Sequence, residues 1–280
     1  MSAPRILLDG LHFPECPRWH DGRLWCSDMH GHRVLAVDAA GRAEPIAKLP
    51  TQPAGLGWGP DGRLLAVSMT DRRLLRLDGG RWEQVADLRA LATFHCNDLV
   101  VDAHGRAYVG TFGFDFEAGA PFAPGQIILV GPGGAARLAA GDARFPNGMV
   151  LTPDGRTLIV AETMAPALHA YDVGADGALS GGRTWAPLTD VVPDGICLDA
   201  AGGVWMASPV ATEVVRVEEG GRITDRVAVS NHAFACMLGG ADRRTMFVCT
   251  ADNSNPEYCR SHASGRIETF AVDVPGAGRP

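Results

Sequence analysis

Four oxygen-bearing side chains occupy the same position in four copies of a repeated sequence unit. They are Glu15, Asn97, Asn147 and Asp194, and each stands just ahead of an apolar run. Glu15, Asn147 and Asp194 also directly follow a proline. Carboxylate and amide oxygens are the ligands that hard divalent cations prefer. If the fold brings these positions together, they predict a metal site built from oxygen atoms alone.

The repeated unit consists of an apolar strand, a tight turn and a second strand, and it is clearest in Phe145–Ala161. Its turn, Pro153-Asp154-Gly155-Arg156, combines residues that favour a fixed φ, a backbone cap and a positive φ. Six copies recur at intervals of roughly 40 to 50 residues, a period typical of propeller blades. The copies are Glu15–Asp28, Ala54–Ser68, Asn97–Thr111, Asn147–Ala161, Asp194–Ser208 and Phe234–Thr250.

The repeats predict the fold class. A third apolar segment follows each copy, and a weaker fourth segment follows each of the first five copies. The segment Ile6–Leu8 could supply the missing strand of the sixth. We therefore expect an all-β fold, a six-bladed β-propeller of four-stranded blades whose last blade is closed by the N-terminal strand. The repeats use the whole chain, so residues 1–280 are expected to form a single domain. The alternative, unrelated hairpins in a sandwich or in two small domains, fits six in-register turns poorly.

Composition limits the partners and the compartment. The net charge of −7 disfavours nucleic acid and anionic membranes, which require basic surfaces. The seven cysteines are scattered and form no C-x-x-C pair, so we interpret them as reduced core thiols of a cytoplasmic protein. No signal peptide, membrane span, phosphate-binding loop or serine-nucleophile motif is recognised. The expected partner is a small molecule, with no nucleic acid and no membrane, and the protein is expected to be a monomer or weak dimer.

In a propeller the first strand of each blade lines the central channel, so the four strand-start side chains should lie on one ring. Two carboxylates gathered there would repel each other unless a cation lay between them. Glu15, Asn147 and Asp194 are the predicted ligands. Three protein ligands leave coordination positions open, which is typical of a catalytic site. The alternative is that each polar residue caps the start of its own strand, which would be preferred for one residue but not for four in register.

The loops between the second and third strands of each blade should surround this ring. The longest are Phe112–Gly125 and Ala251–Ser264. The first is rich in phenylalanine, and Phe112 and Phe114 are expected to contact substrate, although the loop could instead pack onto its own blade. His95 precedes Asn97 by two residues and could bind a substrate oxygen or carry a proton. It could equally be satisfied within its blade.

The motifs also carry a resemblance. With Glu15-x-Pro17-x-Trp19, Asn97-Asp98, Pro146-Asn147-Gly148 and Pro193-Asp194-Gly195, the chain resembles the gluconolactonase/regucalcin (senescence marker protein) family of six-bladed propellers. The resemblance implies that Glu15, Asn147 and Asp194 hold one divalent metal and that Asn97 touches water or substrate beside it. It also implies that Asp194 is the general base of a lactone hydrolase, often one acting on sugar acids. His95 stands where sugar-lactone members often carry arginine, and the aromatic loop replaces a polar one; both differences leave room for a less polar lactone or ester.

The predicted reaction is therefore the opening of a lactone by metal-activated water. Asp194 or His95 would accept a proton, and Asn97 would help to stabilise the oxyanion. We expect Ca²⁺ first, with Mg²⁺, Mn²⁺, Zn²⁺ or Fe²⁺ as alternatives. Two other functions stay open: a non-catalytic binding propeller with a structural metal, and a phosphotriester hydrolase on the same scaffold.

Overall fold

The computed structural model describes residues 3–278, whose strands form six antiparallel four-stranded sheets. We number the strands β1 to β24 in chain order. The innermost strands of the six blades are β2 (Pro14–His20), β6 (Pro53–Trp58), β10 (Cys96–Val101), β14 (Pro146–Leu151), β18 (Ile196–Leu198) and β22 (His232–Gly239). The second strands are β3 (Arg23–Asp28), β7 (Leu64–Ser68), β11 (Ala107–Thr111), β15 (Thr157–Glu162), β19 (Val204–Ala207) and β23 (Thr245–Ala251).

The outer half of each blade completes the sheet. The third strands are β4 (Arg33–Val37), β8 (Arg73–Asp78), β12 (Gly125–Val130), β16 (Ala167–Val173), β20 (Glu213–Val217) and β24 (Gly265–Ala271). The outermost strands are β5 (Ala43–Lys48), β9 (Arg81–Asp87), β13 (Ala136–Ala143), β17 (Leu179–Pro187), β21 (Ile223–Ala228) and β1 (Arg5–Leu11).

The six sheets form a ring. Each innermost strand packs against the innermost strand of the next blade, and β22 of the last blade packs against β2 of the first. Strand β1 pairs with β24, joining Arg5 to Thr269 and Leu11 to Gly265. The molecule is a six-bladed β-propeller, and the predicted closure of the last blade by the N-terminal strand is confirmed.

Apolar layers between neighbouring blades hold the ring together. Strand β12, whose sequence is almost wholly apolar, is an example. Ile127 and Leu129 pack toward blade 4, whereas Ile128 and Val130 pack toward blade 2. Because successive side chains of a strand point to opposite faces, a strand covered on both faces needs apolar residues at every position.

The hairpin turns fix the ends of the inner strands. In the turn after β14, the backbone N–H of Arg156 donates to Oδ1 of Asp154 over 3.1 Å, and Gly155 has a φ of +68°. This is the chemistry predicted for the Pro-Asp-Gly sequence. The turn holds β14 and β15 in register, so that Asn147 lies at the opposite end of the hairpin.

One expected loop contains a helix. The segment Ala251–Ser264 was predicted to be a loop, which is wrong for helix α1 (Pro256–His262). Oδ1 of Asn255 accepts hydrogen bonds from the N–H groups of Glu257 and Tyr258, and proline occupies the first helical turn. Asparagine as the N-cap followed by proline is a helix-start signal. A second short element, a 3₁₀ helix, spans Met29–Gly31.

Two further observations concern the cysteines and the helices. All seven cysteines are buried and unpaired, as expected for core thiols. Within residues 3–278, no helix is both long enough and apolar enough to cross a membrane.

Candidate functional site

The predicted site residues lie where the innermost strands begin. Glu15 is the second residue of β2, Asn97 the second of β10, and Asn147 the second of β14. Asp194 lies two residues before β18. Glu15, Asn97 and Asp194 are buried, with 8%, 7% and 6% of their surface exposed, and Asn147 is half-buried. Burial of two carboxylates this close to the channel axis demands a compensating interaction.

A break in strand pairing lies beside most of these residues. The register shifts between Glu15 and Arg18 in blade 1, between Cys96 and Leu99 in blade 3, and between Pro146 and Met149 in blade 4. A β-bulge of this kind changes the direction of the side chains next to it. The bulges therefore account for polar side chains at the start of strands whose other residues are apolar.

The inner strands also approach one another closely. The N–H of Gly148 donates to the carbonyl oxygen of Asp194 over 3.2 Å, and the N–H of Gly195 donates to that of Phe234 over 2.8 Å. A methyl group at Gly195 would lie 2.4 Å from Cβ of Ala235. Only glycine fits there. The glycine after Asp194 thus lets neighbouring blades bring their strand starts together.

Glu15 is held by its own backbone. Its Oε2 accepts a hydrogen bond of 2.8 Å from the N–H of Cys16, whose φ of +49° is in the left-handed region. Burial raises the pKa of Glu15 from 4.5 to about 8, and the nearby Asp98 carboxylate adds to this effect. The Cys16 hydrogen bond and the Arg18 charge act in the opposite direction. The protonated form of Glu15 is therefore favoured when no cation is bound.

Asp194 is in a similar position. Burial raises its pKa well above the ordinary value, and the carboxylates of Glu15 and Asp98 raise it further, whereas hydrogen bonding by the Asn147 amide lowers it. Nδ2 of Asn147 donates to Oγ1 of Thr163 over 3.2 Å, and Thr163 in turn donates to the carbonyl oxygen of Pro193 over 2.9 Å. The network orients Asn147 beside Asp194.

Sequence reasoning missed the ion pair beneath these residues. Arg18 is 5% exposed and Asp98 is 4% exposed. The guanidinium donates to Asp98, to the carbonyl oxygens of Leu56 and Leu99, and to that of Pro17. The sequence did contain a signal for this ion pair. Arg18 follows Glu15 by three residues in a strand that must line the channel, where a charged side chain needs a partner. The pair links blade 1 to blades 2 and 3 next to Glu15.

The donor set fits a hard divalent cation. Within residues 3–278 there is no cluster of three or more His, Cys, Asp or Glu side chains arranged to hold a metal. The predicted set contains two such residues, Glu15 and Asp194, and takes its third oxygen from the amide of Asn147. Burial favours the protonated form of both carboxyls, and the charge of Glu15 adds to this effect at Asp194. A cation bound between them would remove that cost. Oxygen donors of this type suit Ca²⁺, Mg²⁺ and Mn²⁺.

Asn97 and His95 lie on one side of this group. Nδ2 of Asn97 donates to the carbonyl oxygen of Pro146 over 3.4 Å, which ties blade 3 to the start of β14. The His95 ring is stacked on Phe94, with 4.0 Å between the ring centroids. Burial lowers the pKa of His95 below its ordinary value. The imidazole is therefore neutral at neutral pH.

The aromatic loop packs against the next blade rather than only its own. Phe112 is stacked on Phe145 with a centroid distance of 4.5 Å, and Phe114 contacts Phe145 edge-on at 6.1 Å. Phe145 precedes Pro146-Asn147 directly. Of the other histidines near the mouth, His30 is buried beside Phe13, with its Nε2 3.2 Å from the carbonyl oxygen of Ser254.

Known proteins provide an independent comparison. The pentonolactonase XacC of Haloferax volcanii is 28% identical, and the alignment covers 100% of this chain and 97% of that protein. The 6-deoxy-6-sulfogluconolactonase of Pseudomonas putida is 26% identical over 95% of this chain and 93% of its own length. Among solved structures, the calcium-binding protein regucalcin from Agrobacterium tumefaciens has the same fold, with a TM-score of 0.83, 22% identity, and coverage of 99% of this chain and 96% of its own.

A family model extends this likeness to most of the sequence. The model described as the SMP-30/gluconolactonase/LRE-like region matches residues 13–252, a range that includes Glu15, Asn97, Asn147 and Asp194. The fold, the repeated strand starts and this match agree: the chain belongs to the SMP-30/gluconolactonase/LRE-like family.

Proposed function

We propose that this chain is a metal-dependent hydrolase that opens a lactone ring with an activated water molecule. The observation that carries the proposal is the pairing of two buried carboxylates, Glu15 and Asp194, at the mouth of the channel. A purely structural role would be served as well by apolar residues, because buried charges cost stability. Two buried acids in this position suit the binding of a cation and the chemistry that it supplies.

The relatives support the choice of bond. Two curated proteins that align with nearly the whole chain are named as lactonases acting on a pentonolactone and on a sulfogluconolactone. Both alignments cover at least 95% of this chain. A lactone substrate therefore has support that a phosphotriester or a purely structural role lacks.

Each side chain receives a role in this proposal. Glu15, Asn147 and Asp194 would hold the cation, which when bound supplies Lewis-acid polarisation of a carbonyl and a water of lowered pKa. Asp194 accepts the proton of the attacking water and later returns it to the leaving alkoxide oxygen. The Asn97 amide donates to the oxygen on which negative charge develops. His95 stands two residues before Asn97, and its neutral ring would orient the substrate while Asp194 acts as the base.

The proposal is tested by a lactone panel measured in a pH-stat. The purified protein is first stripped with EDTA and then supplied separately with Ca²⁺, Mg²⁺, Mn²⁺, Zn²⁺ or Fe²⁺. We expect hydrolysis of at least one lactone that is lost with EDTA and restored by a divalent cation, with Ca²⁺ the first candidate. Hydrolysis that survives complete metal removal would contradict the proposal. An organophosphate triester in the same panel tests the alternative function: its hydrolysis without hydrolysis of any lactone would indicate a phosphotriester hydrolase.

A further inference from the structure

We propose that the lactone taken by this site carries an apolar substituent, which packs on an aromatic rim at the mouth of the channel. The inference rests on the proposed lactone hydrolysis and specifies its substrate class. We define the aromatic rim as Phe112, Phe114, Phe116 and Phe122 of the β11–β12 loop together with Phe145.

The rim is attached to both sides of the candidate site. Phe112 donates its N–H to the carbonyl oxygen of His95 over 2.9 Å, and His95 stands two residues before Asn97. At the other side Phe145, which has a φ of +64°, stands two residues before Asn147. Phe112 and Phe145 stack on each other between these two points. Phe145 is buried and Phe112 is half-buried, so this stacked pair forms the base on which the more exposed rings of the rim lie.

The rim continues outward as exposed apolar surface. Phe116 lies 6.0 Å from Phe145, and Phe114 lies 5.5 Å from Phe122, measured between ring centroids. Phe116 is 51% exposed and Phe122 is 44% exposed. Val210, on the corresponding loop of blade 5, is 65% exposed. Exposed apolar side chains on loops at the same end of a fold are typical of a ligand-binding surface.

The loop Phe112–Gly125 carries only two polar side chains, Asp115 and Glu117. The Arg144 guanidinium lies 4.7 Å from the centroid of the Phe122 ring. The Thr93 hydroxyl donates to the carbonyl oxygen of Gly113, and Oδ1 of Asp115 accepts the N–H of Ala118. A polyhydroxylated ring needs several hydrogen-bond partners to repay its desolvation, and this mostly apolar loop offers few. An alkyl or aryl substituent needs only apolar contact area.

The test is a series of γ-lactones that differ only in the length of an alkyl chain, measured beside gluconolactone. We expect kcat/KM to rise roughly two- to fourfold per methylene while the chain covers the rim, the scale of burying one methylene group. In the double variant Phe116→Ala/Phe122→Ala this dependence should flatten, so that kcat/KM for the long-chain lactones falls toward the value for the unsubstituted lactone.

Leu138→Ala is the matched control. Leu138 is 49% exposed on β13, the outermost strand of the same blade. Its replacement by alanine should therefore leave the dependence of kcat/KM on chain length intact. A flat series in the wild type, or a higher kcat/KM for gluconolactone than for the alkyl lactones, would overturn the inference. Binding of phosphatidylcholine vesicles combined with a flat series would overturn it in favour of a membrane contact.

A binding measurement distinguishes failure of the proposed lactone hydrolysis from failure of the aromatic-rim inference. If no lactone is hydrolysed with any metal, calorimetric titration with γ-lactams bearing the same alkyl chains replaces the kinetic readout. Affinity that rises with chain length and falls in Phe116→Ala/Phe122→Ala, but not in Leu138→Ala, would support the rim even then. Affinity independent of chain length would reject it.

Discussion

Arg18 and Asp98 form an ion pair of 2.5 Å in which both side chains are only 6% exposed. The pair joins blade 1 to blade 3, and each partner adjoins a strand-start residue of the candidate site. Arg18 supplies positive charge near Glu15, and Asp98 supplies negative charge that raises the pKa of both Glu15 and Asp194. The balance of charge at the mouth of the channel is therefore set partly by residues that need not touch a substrate.

Replacing Arg18 with methionine should lower the free energy of unfolding by about 3–5 kcal/mol, because it leaves Asp98 buried without its partner. Denaturant unfolding measures the loss. The double variant Arg18→Met/Asp98→Asn should be less destabilised than the sum of the two single variants. Arg183→Met, which breaks an ion pair whose side chains are 44% and 60% exposed, should change stability by less than about 1 kcal/mol. A similar small loss at Arg18 would contradict the role assigned to the buried pair.

Asp194→Asn should reduce kcat by roughly 100-fold or more, the scale of losing general-base assistance. Steady-state kinetics on the best lactone measures this, and circular dichroism checks that the fold is retained. Asp9→Asn, an exposed position on the outermost strand of the last blade, should behave like the wild type. Turnover of Asp194→Asn within a few-fold of the wild type would exclude Asp194 as the base.

His95→Gln should lower kcat less than tenfold, because the proposed role of the imidazole, which is stacked on Phe94, is to orient the substrate and not to accept the proton. The pH–rate profile gives a second readout. If Asp194 is the base, the profile should keep its shape in His95→Gln. Loss of an inflection together with a fall as large as that of Asp194→Asn would instead identify His95 as the base.

Metal-free protein should lose stability as the pH rises from about 4.5 to about 8. Burial raises the pKa of Glu15 from 4.5 to about 8, so the folded chain keeps a proton that the unfolded chain releases over this range. A divalent cation competes with that proton, so its stabilising effect should grow with pH. Thermal unfolding with EDTA and with Ca²⁺ at several pH values measures both trends. Glu15→Gln should lose the metal-induced shift and weaken the pH trend, to which the buried Asp194 carboxyl also contributes. A metal shift that persists in this variant would contradict the ligand assignment.

Gly195→Ala should destabilise the protein by about 1–3 kcal/mol, the usual range for overpacking, because the new methyl group would overlap Ala235. Activity should fall as well, since the displaced strand carries Asp194. Gly133 provides a matched control: a methyl group there meets nothing within 4 Å, so Gly133→Ala should be neutral or slightly stabilising. Equal stability of the two variants would show that the inner strands are not packed as described.

The sequence repeats were sufficient to predict the blades, because each turn and apolar run is a local signal. They also located Glu15, Asn97, Asn147 and Asp194 at equivalent strand starts. What they could not give were the contacts between blades. The partnership of Arg18 with Asp98 joins positions 80 residues apart, and the stacking of Phe112 on Phe145 depends on how adjacent sheets meet. Helix α1 was not predicted, although Asn255 and Pro256 are a helix-start signal, because the long connection between β23 and β24 was interpreted as a loop.

The pairing of β1 with β24 has a consequence for how the molecule comes together. Residues near the two ends of the chain must find each other before the last sheet is complete, and a contact of such large sequence separation is expected to be slow to form. Glu15 follows β1 closely, whereas its partners come from the middle of the chain. We therefore expect the proposed metal site to assemble only when β1 pairs with β24 and closes the ring. A nascent or cleaved chain in which this pairing is missing should have folded blades but no lactonase activity.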